Sequence, residues 1–464
     1  MKKILIITTE PLPYKGFVTT GAGLRAWGIG QGLESKGFTV SIAFPRRLLS
    51  RQSINQSGNK LVHQALKDIE PDILENTFEP DQLTEFINSK SPDIVIFQHW
   101  GLMKFLEHLN IPIVLDLAGP HLLERHYWGD KNYEENLYEK INSIRKSDLI
   151  TCSGEYQKHY FLPFLQIAGY DIDKYPFPVI PFSMSPDMPE HKFPEEMKFA
   201  YTGLFLPWQD PSLSLNILLE ELNRRNFSKL LFFGGIHPEG DVSQGKFSEI
   251  IDKIRKNPRV EFYGIMPFNE FVDKLKVASV SVDLMKRNYE RELAFTSRTV
   301  VNMWCGLPVI YNDYSELSRY IKEYDAGWIL DPNDSNSFRK TVMEIIDNYE
   351  MVKGKSKNAQ SLVIEKFNWN QTIAPIEQFC NSPYMREKEV VLIKSFSNME
   401  RVKKLENELD KTKRELLTLK GKLIFRLYQK FGRISFLFAP FLFLILIPIS
   451  LIMVILHLII PRNE

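Results

Sequence analysis

A chain of 464 residues, 44% apolar and 12% aromatic, is too long for one ordinary core and too apolar to stay unfolded, so two globular domains with additions are expected. The net charge of +1 hides a split: residues 401–433 hold eleven Lys/Arg against four Asp/Glu, residues 434–464 sum to zero, and the first 400 carry −6. An acidic head on a basic neck argues against nucleic acid as a partner of the body and suits a neck beside anionic lipid.

The opening "MKKILIITTEPLP" has an apolar run from Ile4 to Ile7 with nothing like a cleavage site after it, so it reads as a buried first strand and not a signal peptide. The loop "TTGAGLR" leads into a helix over 24–36, ended by Gly37, and then the strand "FTVSIAF". Strand, loop, helix, strand is the pattern of a parallel sheet. It recurs with "PDIVIFQ" (92–98), "IPIVLDL" (111–117) and "DLITCS" (148–153). The Pro-rich run "YPFPVIPFSMSPDMP" (175–189) reads as an interdomain linker. A second series of strands follows in "KFAYTG" (198–203), "KLLFFGG" (229–235), "RVEFYG" (259–264), "VSVDLM" (280–285), "LPVIYN" (307–312) and "AGWILD" (326–331). The expected fold class is α/β, with two doubly wound Rossmann-like domains facing a cleft. In such sheets ligands sit at the carboxyl ends of the strands. The expected boundaries are 1–185 for the first domain, 186–382 for the second, 386–433 for the neck and 434–460 for a membrane span. Cys152, Cys305 and Cys380 lie far apart, so neither zinc nor a disulfide framework is expected and a reducing compartment fits.

In the neck, Val402, Leu405, Leu409, Thr412, Leu416, Leu419 and Leu423 recur at steps of three and four. That a/d seam reads either as a coiled coil joining two copies or as one amphipathic helix on the membrane or the body. Residues 434–460 contain no Asp, Glu, Lys or Arg. As a helix they would reach roughly 40 Å, enough to cross a hydrocarbon core of about 30 Å with tilt, and Pro440 and Pro448 are tolerable there. The basic neck would stay on the cytosolic side, leaving the body in the cytosol on a single C-terminal anchor. A helix lying on the surface is the alternative.

The stretch "WGIGQGLESKG" (27–37) looks like a dinucleotide fingerprint, but its glycines are spaced G-x-G-x-G about twenty residues past the first strand. Gly28, Gly30 and Gly32 read better as packing glycines inside a helix. Gly21 and Gly23 just before that helix are the candidates for phosphate, with a plain glycine turn as the other reading. "DID" (Asp171, Asp173) sits in a loop with no strand leading into it and reads as solvated. The densest chemistry lies at 283–313, where Lys286, Arg287, Glu290, Arg291, Glu292 and Arg298 fall between two strands. Cations there could hold a diphosphate and a carboxylate could accept from sugar hydroxyls, against the alternative of a structural salt-bridge cluster. His99, in "FQHWG", follows a strand end and is a candidate for acceptor or donor contact or a satisfied structural histidine. Trp208 and Asp210 open the second series on the cleft side, with Asp210 favoured as a helix cap before Pro211.

Taken in order, "GAGLRAWGIGQGLESKGFTV", "SDLITCSGEYQKHYF", "YTGLFLPWQDP", "LLFFGGIHP", "VEFYGIMPFNEF" and "ERELAFTSRTVVNMWCGLPVI" resemble the GT-B glycosyltransferases of the large retaining family that uses nucleotide-sugar donors, glycosyltransferase family 4-like. The resemblance covers about 1–382, with "FNWNQTIAPIEQF" (367–379) similar to its helix that crosses back to the first domain. It implies donor binding mainly on the second domain, acceptor binding on the first, retention of configuration, no metal and no cofactor beyond the nucleotide-sugar substrate. It carries Gly21 and Gly23 to the phosphate side, Glu290 to the donor sugar and Arg298 to a basic position before the last helix; Lys286, Arg287 or Arg298 would supply the diphosphate charge, and Gly235 and Trp208 complete the expected donor-binding set. Three departures stand out. The second expected glutamate falls at Val301, the expected histidine at Ala118 with Asp116 and His121 nearby, and the expected Arg/Lys pair is missing from "TGLFLPWQDP". The expected catalytic set is Glu290, His99 and Asp116. The expected function is transfer of a sugar to a glycan or lipid-linked acceptor at the cytosolic membrane face, in cell-surface polysaccharide or glycoconjugate synthesis. A non-catalytic GT-B-like scaffold and a sugar-nucleotide epimerase are the alternatives. Glu290→Gln is expected to cut transfer and leave Tm within a few degrees.

Overall fold

In the computed structural model the described residues are 1–49, 71–225, 228–235, 245–388, 402, 404–416 and 418. They fall into two units, Met1–Val391 and Leu392–Glu464.

In the first unit, β1 (Lys3–Ile7), β2 (Thr39–Pro45), β3 (Thr77–Phe78), β4 (Ile94–Phe97), β5 (Ile113–Leu117) and β6 (Leu149–Cys152) form a sheet in the order β3-β2-β1-β4-β5-β6. β7 (Lys198–Leu204), β8 (Lys229–Gly235), β9 (Val260–Gly264), β10 (Val280–Asp283), β11 (Val309–Asn312) and β12 (Gly327–Leu330) form a second, in the order β12-β11-β10-β7-β8-β9. The ladders are parallel: Ile4 lies beside both Val40 and Ile94, and Phe199 beside both Leu230 and Val280. β4 and β10 are buried at all four positions; β4 (IVIF) is apolar throughout, whereas β10 (VSVD) buries Ser281 and Asp283 and satisfies Asp283 through Thr299 Oγ1. In each sheet the chain starts at an inner strand, winds outward, then returns to that strand's other side. The switch points, β1/β4 and β7/β10, open crevices at the carboxyl ends. Every strand expected from sequence is present. β3, two residues long, was not expected, because so short an element leaves no periodicity to read.

The chain crosses between the halves twice, and the crossings are bonded side by side. Met184 N–H donates to Phe367 O (2.8 Å) and Trp369 N–H to Met184 O (3.1 Å). The second crossing delivers the helices Trp369–Thr372 and Ala374–Asn381 to the first half. There Ile373, Ile376, Phe379 and Cys380 join a core with Ile4, Ile6, Ala26, Ile29 and Leu33. Lys2 Nζ donates to the carbonyls of Cys380 (2.7 Å) and Asn381 (2.8 Å).

The helix Gly21–Ser35 lies between the first sheet and those returning helices, and its glycines are the reason it fits. A Cβ on Gly30 would approach Ile42 Cδ1 to 2.7 Å on the sheet side. One on Gly32 would stand 3.0 Å from Trp369 O and 3.1 Å from Ile373 Cβ on the other. Helical glycine costs about 1 kcal/mol against alanine, and here the return is close packing on both faces.

The second unit is described as a helix over 404–416 with exposed side chains. Leu419, Leu423 and the apolar segment 434–460 lie outside the described residues. No helix among the described residues is long and apolar enough to cross a membrane.

Candidate active site

The loops following β1, β4 and β5 face those following β7, β8 and β9 across a cleft of about 600 Å³. Two helices begin in it. Thr20, in an extended conformation, caps the helix Gly21–Ser35, its Oγ1 accepting from Gly23 N–H (3.4 Å). A Cβ on Gly21 would strike Ser297 Oγ, so this helix start meets that of Ser297–Trp304 from the other half. Thr296 gives that second helix no side-chain cap. The positive ends of two helices thus look into one space, an arrangement that favours an anion.

Arg298, on the second helix, reinforces it. Its Nη2 donates to Gln209 Oε1, while its Nη1 is buried without a hydrogen-bond partner. The guanidinium lies where a Cβ on Gly203 would go, and a Cβ on Gly234 (φ +122°) would strike the Gly203 carbonyl. Glycine at both strand ends is what lets the backbone close up and leave the guanidinium at the cleft. A buried N–H without a partner is costly, so its presence on the wall that holds two helix starts makes this a candidate anion site. Trp208 also lines the cleft. Its Nε1 is buried without a partner, and its ring stands 5.9 Å from that of Trp128.

The first half supplies His99, His121 and Glu124 to the cleft. His99 Nδ1 accepts from Gly101 N–H (2.7 Å), which in the neutral ring puts the proton on Nε2. The His99 and His121 rings meet edge to face at 4.3 Å. Burial first, then the positive Lys140 and Arg125, push His121 down to about 3. Burial, with His121 and the same cations, holds His99 well below the ordinary imidazole value. Both rings are therefore neutral at pH 7. Burial raises Glu124 to about 7 against the opposing pull of Arg291, Lys140 and Arg125. Lys140 is fully buried, and its Nζ has no hydrogen-bond partner. It lies over the rings of Tyr160 (5.1 Å), Phe161 (4.6 Å) and Phe164 (4.5 Å), and burial pulls it down to about 7.

Of the residues picked from sequence, Gly21, His99, Trp208 and Arg298 are brought together on the cleft wall. The others are elsewhere. Gly23 packs on the Pro11 carbonyl, and its amide is taken by Thr20. Gly235 ends β8 with φ +118° beside Phe262. Lys286 and Arg287 are exposed, and Arg287 pairs with Glu292 (2.8 Å). Asp116 is buried and fully engaged, accepting from Arg25 Nε (2.6 Å), Arg25 Nη2 (2.8 Å) and Thr151 Oγ1 (2.7 Å). It pins the first helix to β5 and is a structural carboxylate. Glu290 is buried behind the wall, held at both oxygens by Arg291 (2.6 and 2.8 Å). Burial raises its pKa against that guanidinium. Asp210 accepts from Ser212 N–H (3.1 Å) and pairs with Lys246 (3.1 Å), but it lies one residue before the cap position expected for it, because the helix starts at Ser212 and the Pro211 carbonyl accepts its first bond from Leu215 N–H (3.0 Å). Val301 and Ala118 both line the cleft, as do Leu204, Leu206 and Trp208 of the stretch that lacks the expected Arg/Lys pair, so all three departures from the expected pattern sit at the cleft.

Sequence reasoning missed Glu124 and Lys140. Lys140 left a faint signal, a cation between Tyr138, Ile141 and Ile144 on the inner face of the helix Tyr133–Lys146. Glu124, in "HLLERHY", left none. Among the described residues no group of three or more His, Cys, Asp or Glu could hold a metal ion.

Two parallel six-stranded sheets facing a cleft built from helix starts define a GT-B fold. Residues 188–362 match the model of the family described as Glycosyl transferases group 1. Among solved structures, the chain resembles a sucrose-phosphate synthase from Thermosynechococcus elongatus, at 15% identity and TM-score 0.59 over 82% of this chain and 98% of that one. It resembles S. aureus TarM, crystallised with Fondaparinux, alpha-GlcNAc-glycerol and UDP, at 14% identity and TM-score 0.57 over 82% and 100%. It also resembles Anabaena HepE in complex with UDP and glucose, at 14% identity and TM-score 0.56 over 82% and 100%. At such identities the likeness is one of fold. No curated protein matches this chain in sequence.

Proposed function

We propose that this chain is a glycosyltransferase that takes a sugar from a nucleoside-diphosphate donor, with Arg298 and the two helix starts holding the diphosphate. The observation that carries this is the unpartnered Arg298 Nη1, set against Gly203 on the same cleft wall as Gly21 and Ser297. Fixed donors of this kind lower the barrier by stabilising charge that grows on the leaving diphosphate. The group 1 match over the second half and the neighbours crystallised with UDP support the reading. Neutral His99 and His121, and Glu124, face the donor from the first half and are the groups we assign to sugar or acceptor hydroxyls. Retention of configuration, without metal, is part of the proposal on the strength of the family resemblance. The charge-free 434–460 segment and the basic neck support a C-terminal anchor with the body on the cytosolic side, self-association through 402–423, and a lipid-linked glycan acceptor confined to the same membrane.

Calorimetric and thermal-shift titration of the full chain with UDP, GDP and dTDP and their sugars tests the reading. At least one nucleotide diphosphate should bind, and Arg298→Ala should weaken it about tenfold or more, as loss of a charged hydrogen bond does. Val301 and Ala118 favour a second reading, a GT-B-like scaffold without catalysis. No binding by any nucleotide would select it. Isomerisation of the free sugar nucleotide without acceptor would select the epimerase.

A further inference from the structure

The helix over 404–416 exposes one apolar stripe. Val402, Leu405, Leu409 and Leu416 are between 52% and 56% exposed, at steps of three, four and seven. Thr412 falls in the same stripe, and its Oγ1 is already satisfied by Glu408 O (2.8 Å). With 402, 409 and 416 as a positions and 405 and 412 as d positions, the flanking g positions are Glu408 and Glu415 and the flanking e positions are Glu406 and Lys413.

We propose that the stripe is covered by the same stripe of a second copy, in a parallel, in-register, two-stranded coiled coil. In that arrangement each g residue faces the e residue five positions further along the other chain. Glu408 then faces Lys413 of the second copy. The sequence on either side repeats the match, Arg401 with Glu406 and Glu415 with Lys420. All three pairs are of opposite sign. An antiparallel pair over the same span would set g against g and e against e, placing Glu408 against Glu415 and Arg401 against Lys422, like against like, with only Glu406 against Lys413 of opposite sign, so the parallel pairing has the better charge match. Lys413 now pairs with Asp410 on its own helix at 3.5 Å, an exposed and solvent-screened pair that is no obstacle to re-pairing. Thr412, with its hydroxyl satisfied on its own helix, can occupy one d position at some cost in stability. The inference deepens the self-association part of the proposed reading and does not depend on sugar transfer. Tails that enter one bilayer from one side also require the parallel orientation.

The test is disulfide trapping in the full chain, reconstituted in vesicles of neutral and anionic lipid, with diamide as oxidant. The native Cys152, Cys305 and Cys380 are buried and free, so background trapping is low. Leu405→Cys should trap a dimer and Asn407→Cys, on the opposite face, should not. Glu408→Lys should reduce trapping at 405 severalfold, and adding Lys413→Glu should restore it. Equal trapping at 405 and 407 would mean random collision and overturn the proposal. No trapping at either would remove self-association and leave the sugar-transfer reading standing. Trapping only between Leu405→Cys and Leu416→Cys chains would overturn the parallel orientation alone.

Discussion

Arg291 is what allows Glu290 to be buried, and the pair changes what substitution should do. Glu290→Gln removes the countercharge of a buried guanidinium, a loss of about 3–5 kcal/mol, at the lower end here because an amide oxygen still accepts. Tm should therefore fall clearly, contrary to the expectation from sequence alone. An unchanged Tm in a differential scanning measurement would show that Arg291 finds another partner. Glu124 and Lys140 give a pH signature. Glu124, near 7 in the fold and near 4.3 unfolded, holds its proton more tightly when folded, so its contribution to stability falls as pH rises from about 4.3 to 7. Lys140, near 7 in the fold and near 10.4 unfolded, sheds its proton more easily when folded, so its contribution rises from about pH 7 to 10.4. Relative to the parent, Glu124→Gln should gain stability as pH rises through the first window, and Lys140→Met should lose its advantage through the second. Parallel Tm–pH curves for parent and variant would refute each. Gly21, Arg298, His99 and Trp208 were legible because each stands within a few residues of a strand end or helix start. Glu124 was not, since its part in the site comes from tertiary burial beside Lys140, Arg125 and Arg291.

At the scale of elements, the strands were legible because strands covered on both faces are short, mostly apolar runs rich in β-branched residues, as in IVIF and IVLDL, bounded by turn residues. The glycine helix was half legible. Its spacing denied a nucleotide fingerprint, yet nothing local says that Gly32 touches Trp369 O, more than three hundred residues away. Gly32→Ala would gain about 1 kcal/mol in helix propensity but drive a methyl against a backbone carbonyl and Ile373 Cβ. We expect the clash to win, with a lower Tm and faster amide exchange in the helix Ala374–Asn381. A rise in Tm would mean that the returning helices can give way.

For the whole molecule, two six-stranded sheets joined by two bonded crossings leave the cleft as the place where both halves meet one ligand. If the cleft takes a nucleotide diphosphate, saturation at about 100 times Kd should stabilise the fold by about 2.7 kcal/mol, and a cleft that takes none leaves the melting curve where it was. One feature near the chain's exit bears on how such a molecule is held. Arg386 is buried and donates to the carbonyls of Ile144 (3.2 Å), Arg145 (3.1 Å), Ser147 (3.2 Å) and Gly169 (3.1 Å), closing the helix Tyr133–Lys146 at its negative end. Mechanically this is a clamp. Any pull on the chain beyond Arg386 is taken first by the first sheet, and it reaches the second sheet only through the paired crossings and the bonds across the halves, such as Gln157 Nε2 to the Leu293 carbonyl (3.1 Å) and Tyr156 N–H to Glu316 (3.1 Å).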